Sequence, residues 1–108
     1  MKLLQMVTGV CVCMLAASHP PQKAKTDPVK GKIVFAQCSV CHNPNSDEKK
    51  VGPGLKNLFK KGKLVNGKRV TETNVRAFID AGGNGMPPYR DLLSSAEKDS
   101  LIAYLKTL

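Results

Sequence analysis

Two thiols and an imidazole stand within five consecutive residues, Cys38-Ser39-Val40-Cys41-His42, and no other stretch of the chain offers as much chemistry. Paired cysteines at this spacing serve dithiol exchange, half of a zinc site, or, when histidine follows directly, the attachment of a c-type haem. In the last case each thiol adds across one vinyl group to form a thioether. The neighbouring imidazole then lies beneath the iron, a position suited to a neutral ring nitrogen. The other two uses need partners. A structural zinc site takes about four protein ligands, and outside the pentapeptide the chain has only Cys11, Cys13 and His19, all near its start. A redox dithiol of the thioredoxin kind sits beside a βαβ pattern, and strand alternation is not evident here. The pentapeptide therefore reads as haem attachment, with Cys38 and Cys41 as tethers and His42 as the proximal iron ligand.

A single protein ligand leaves the sixth iron position open to small molecules, so a second ligand decides the chemistry. Met1, Met6 and Met14 fall in the apolar opening of the chain, which leaves Met86 as the remaining thioether. It stands in Gly85-Met86-Pro87-Pro88-Tyr89, where a preceding glycine and two following prolines favour a stiff, extended segment. A methionine can also simply fill a gap in a core, but that role seldom needs so constrained a backbone. His19 is a weaker competitor, because it belongs to a stretch expected to be mobile.

Residues 1–18 read as an export signal: Met1-Lys2 is a basic start, Leu3 to Ala17 is mostly apolar, and Ala16-Ala17-Ser18 offers small residues for cleavage. The apolar run is shorter than the roughly 20 residues that span a bilayer, so removal is expected rather than anchoring. Cys11 and Cys13 leave with it, and the two cysteines that remain are both committed to haem. Residues 19–27 carry prolines, lysines and little that is apolar, the composition of a flexible arm. The domain proper is assigned to 28–108, small for a core made of side chains alone. A flat apolar cofactor would add the buried surface that a chain with 5% aromatics and no Trp lacks.

The elements that must position these groups are helical. Asp27 followed by Pro28 is a helix start, and a first helix is expected from Pro28 to about Gln37. Val29, Ile33 and Ala36 recur at helical spacing, while Gly31 and Phe35 pair a notch with a ring. Ser94-Ser95-Ala96-Glu97 is a capping box opening a last helix with Leu101, Tyr104, Leu105 and Leu108 on one face. Val75, Phe78 and Ile79 mark a helix from about Glu72 to Ala81, stopped by Gly82-Gly83. A shorter helix is expected over Leu55 to Lys61, and Lys63 to Val70 reads as a polar turn around Asn66-Gly67, with a small hairpin possible. The fold class is all-α.

Taken in order, Gly31-Lys-Ile-Val-Phe35, the pentapeptide, Val51-Gly-Pro-Gly-Leu55, Gly85-Met86-Pro87 and Leu101-Ile-Ala-Tyr-Leu-Lys106 resemble the class I monohaem cytochromes c over essentially all of 28–108. The resemblance implies a small single domain wrapped around one covalently attached haem c. It implies that Gly31 and Phe35 cross the last helix near Leu101 and Tyr104, and that the Pro53 carbonyl accepts the His42 Nδ1 proton. The stretch between His42 and Gly52, and that from Met86 to the last helix, are both short.

With imidazole and thioether on the iron, the expected function is an exported, periplasmic carrier of single electrons in a bacterial respiratory chain, not an enzyme. Its potential should be positive, since Met/His ligation raises it. Rival readings are a haem enzyme or gas sensor with a labile Met86, or a dedicated electron-transfer subunit of a dehydrogenase or oxidase complex. The formal net charge of +9 loses one unit with Lys2. Lys49, Lys50, Lys56, Lys60, Lys61, Lys63, Lys68 and Arg69 cluster between the pentapeptide and Met86, either a solvated face or a docking field for redox proteins with acidic surfaces. Export and the lack of a recognition motif speak against nucleic acid. A monomer without a stable membrane anchor is expected.

Overall fold

Asp27 stands in extended backbone, and its side chain accepts from the Val29 N–H at 2.9 Å, so the first helix starts where an acceptor side chain precedes Pro28. In the computed structural model, which describes residues 26–108 and, outside these, only Gly9, this helix is α1 (Pro28–Phe35). The expected export signal and the arm up to residue 25 lie outside the described residues, Gly9 apart. Two further helices follow, α2 (Glu72–Ala81) and α3 (Ser95–Leu105), together with one short 3-10 turn, Leu58–Lys60. The fold is all-α. Among the described residues β pairing is confined to the isolated bridges Lys63–Arg69 and Gly83–Met86.

Helix α1 ends two residues earlier than its sequence suggests. From Ala36 the backbone tightens into i−3 bonds, Ala36 N to Ile33 O and Cys38 N to Phe35 O, and the Ser39 hydroxyl takes the Ala36 carbonyl at 2.6 Å. A short polar side chain competing for backbone acceptors is a common way to end a helix. The buried face is the Gly31/Phe35 pair; Val29 and Ile33, on the other side, are 70% and 71% exposed. The apolar repeat at 29, 33 and 36 therefore does not mark the packed stripe. A close crossing decides this: a Cβ on Gly31 would lie 1.9 Å from the Ser100 carbonyl oxygen and 2.7 Å from Tyr104 Cβ. The α1 backbone rests directly on α3, and the Phe35 and Tyr104 rings meet at a centroid distance of 5.3 Å.

Helix α3 opens with the expected reciprocal cap. Glu97 N donates to Ser94 Oγ and Ser94 N donates to Glu97 Oε1, satisfying two otherwise orphaned donors. Helix α2 is capped by Thr71, whose hydroxyl accepts from Asn74 N, and stops at Gly82, with φ of 65°. Val75 and Ile79 of α2 join Phe35, Leu58, Leu93, Leu101 and Leu105 in one core.

The short helix expected over Leu55 to Lys61 is reduced to the 3-10 turn. Leu55 N donates to Asn43 O and Lys56 N to Ser46 O, and Asn57 takes a left-handed φ of 57°, so residues 55–57 are held to a neighbouring loop in a backbone no α-helix can use. The polar segment 63–70 makes a single bridge closed over Asn66-Gly67, with Gly67 at φ 81°.

Candidate functional site

The thiols and imidazole sit on a run of tight turns just past α1. Cys41 N and His42 N both donate to Cys38 O, at 3.1 and 3.0 Å, which stacks Cys38 one turn behind His42. Both cysteines are free and half-buried. Burial, and to a lesser degree the neighbouring Cys41, pushes the Cys38 thiol up from its ordinary pKa. Cys38, Cys41 and His42 do not converge as ligands of one ion would; among the described residues no three His, Cys, Asp or Glu side chains form such a group.

The loop 43–57 folds back over the imidazole. Gly52 N donates to Cys41 O at 2.8 Å, and Lys50 reaches Ser39 O through its ammonium. His42 Nδ1 lies 2.8 Å from the Pro53 carbonyl oxygen. A carbonyl only accepts, so Nδ1–H is the donor, and in the neutral form of the ring this tautomer leaves the lone pair on Nε2. Gly52 closes on the same ring: a Cβ there would lie 2.5 Å from His42 Cε1 and 3.0 Å from Nε2. The loop is in turn pinned by Lys61, which pairs with Asp47 at 2.9 Å and reaches Gly54 O. The hydrogen bond from Lys61, and then its charge, hold the Asp47 carboxyl below the usual range.

Met86 is the last residue of a tight hairpin. Gly83 and Met86 exchange both backbone hydrogen bonds at 3.0 Å, around Asn84 (φ 52°) and Gly85 (φ 90°). Positive φ at both central residues is the pattern of the Asn-Gly turns that match strand twist. The dipeptide Asn84-Gly85 is the local signal of this turn. After Pro87 and Pro88, Tyr89 N and Arg90 N donate to Ile79 O and Asp80 O, so the segment returns to the end of α2. Met86 is half-buried against the core, as are Cys38, Leu55, Phe59, Leu64, Val70 and Tyr89. The Tyr89 phenol is pushed up by burial, with lesser contributions from Cys38 and Cys41.

A group of residues with no local sequence signature fastens this region. Lys98, one turn into α3, is 7% exposed; its ammonium pairs with Asp80 at 2.6 Å and donates to Arg90 O at 2.9 Å. The eight basic residues from Lys49 to Arg69 are all exposed, and of these eight Lys61 alone forms an ion pair.

A family model described as cytochrome c oxidase, cbb3-type, subunit III matches residues 30–105. The chain belongs to this family. It is thus a c-type cytochrome domain and an electron-transfer haem protein in kind. No curated protein matches it. A c-type cytochrome implies haem c, and the donor set fits that group. An imidazole clamped by Gly52 and Pro53 through Nδ1, one half-buried thiol beside it and another one turn behind, and a rank of half-covered apolar side chains with one thioether among them are what a flat, iron-centred, tethered cofactor requires.

Proposed function

We propose that this cytochrome domain is an exported monohaem carrier of single electrons, with Cys38 and Cys41 as thioether tethers and His42 and Met86 as the two axial ligands. The observation that carries the reading is the seating of His42, with Nδ1 2.8 Å from Pro53 O and Gly52 against the ring. When bound, the haem supplies one-electron exchange between Fe(III) and Fe(II), at a potential that thioether and imidazole ligation raises.

The remaining work belongs to the chain. Pro53 takes the Nδ1 proton into a hydrogen bond, which holds the ring in one tautomer and strengthens Nε2 as a donor. Gly52 prevents the ring from turning out of that orientation. The Asn84-Gly85 turn and the two prolines confine Met86 to a short backbone path, so its sulfur is offered at little cost in disorder. Leu55, Phe59, Leu64 and Val70, half-buried against the core, offer apolar surface that would keep water from a bound haem. With His42 and Met86 both holding the iron, no position would be left for a substrate, and the chemistry of the bound group would be electron exchange alone. The exposed lysines make a field that would draw in partners with acidic surfaces.

In ferric holoprotein, a sulfur-to-iron charge-transfer band that vanishes in Met86→Ala while the haem stays attached supports this assignment. Unaltered spectra in Met86→Ala refute it. The family match favours a second reading as well, in which the domain serves a terminal oxidase as its electron-transfer subunit. Stable co-purification with such an oxidase would favour the subunit, and recovery as a free protein the carrier.

A further inference from the structure

Lys98 and Asp80 each stand at an end of a helix where their charge is unwelcome. Lys98 closes the first turn of α3, near the positive end of that helix, and Asp80 lies in the last turn of α2, near its negative end. Lys98 is also the one buried charged side chain among the described residues. Burial disfavours a lone ammonium, so the position is tenable only because Asp80 and the Arg90 carbonyl surround it at 2.6 and 2.9 Å. A second tie joins the same two helices, with Arg76 paired to Asp99 and donating to Ser95 Oγ. That tie touches nothing in the segment that carries Met86, whereas Lys98 does. Arg90 N donates to Asp80 O and Arg90 O accepts from Lys98, so residue 90 is gripped on both sides, four residues after Met86.

From this placement we infer that Lys98, with Asp80, is a positioning latch for the methionine ligand: it fixes the far end of the 86–90 segment to α2 and α3 and so sets how often the Met86 sulfur leaves its place. The inference rests on Met86 being the axial ligand. An added ligand such as imidazole binds ferric iron only when the thioether is away, and its apparent affinity scales with the fraction of molecules in that open state. Loosening the latch therefore tightens imidazole binding, even where the fold and the haem are retained.

The test is titration of ferric holoprotein with imidazole, with the charge-transfer band followed alongside, in wild type, Lys98→Met, Lys98→Arg, Asp80→Asn, Arg76→Met and Met86→Ala. Lys98→Met should bind imidazole about tenfold or more tightly than wild type, as a tenfold rise in the open fraction demands, with a weakened band. Asp80→Asn should move in the same direction by less, and Lys98→Arg should restore much of the wild-type value. Arg76→Met should lose thermal stability without moving the imidazole affinity. The latch is refuted if Lys98→Met and Asp80→Asn bind imidazole as wild type does, or if Arg76→Met shifts affinity as much as they do. Should Lys98→Met fail to yield holoprotein, Asp80→Asn decides alone. If wild type and Met86→Ala already agree in band and affinity, the ligand assignment has failed, and the latch with it.

Discussion

At Gly52 the absence of a side chain lets the backbone lie against His42, where a Cβ would come within 2.5 Å of Cε1. Gly52→Ala should therefore push the imidazole off its seat. Overpacking of this kind costs about 1–3 kcal/mol, visible as a lower denaturant midpoint, and the ferric spectrum should show weakened axial ligation; a variant matching wild type in both would mean the loop yields freely. The pentapeptide and Met86 were legible from residue types alone, because tether, ligand and spacing are local. The Pro53 carbonyl was legible only through the family resemblance, since a backbone acceptor carries no signature of its own. Gly52 as the seat of the ring, and Lys98 as a buried cation, were not legible. Both depend on which distant segments meet, and a lysine in a helix otherwise reads as a surface residue.

Helix boundaries were readable where side chains cap them and unreadable where tertiary ties cut them short. Asp27 and Ser94 each announce a start that the fold uses, and Thr71 supplies the same cap to α2. Ser94→Ala should cost about 1 kcal/mol, the usual worth of an N-cap, measured by thermal or chemical unfolding; no loss would mean that α3 is held by packing alone. By contrast, nothing local could have foretold that loop 43–46 captures Leu55 and Lys56 and leaves only a 3-10 turn. The α2–α3 tie has a pH signature. The hydrogen bond from Lys98 holds the Asp80 carboxyl below its ordinary value, so the unfolded chain takes up that proton first. The contribution of the tie is complete above the ordinary carboxylate value of about 3.9 and disappears as pH falls through the lower folded value. The stability gap between wild type and Asp80→Asn should accordingly be widest near neutrality and close in acid; a gap that stays constant with pH would contradict the pairing.

Among the described residues, three short helices enclose a modest core centred on Leu101, the most deeply buried of its side chains at 2% exposure. Leu101→Ala should cost about 2–5 kcal/mol, a large share of what so small a domain can have. The half-covered rank from Leu55 to Tyr89 is the reason a cofactor matters to the fold as much as to the function: apolar surface left incomplete by the polypeptide is surface that a tethered porphyrin can cover. The basic surface belongs to this scale too. If it steers acidic partners, the rate of electron exchange with an acidic redox protein should fall steeply as salt is raised from low ionic strength, and a flat response would leave the lysines as solvated charge only. Beneath all of this lies the covalent tether, and the most direct measurement is the intact mass of protein matured in cells that attach c-type haem, taken after acid acetone extraction. The chain should carry the added mass of one haem, lost when Cys38 and Cys41 are both replaced by serine. A bare chain from the unsubstituted protein would contradict the account.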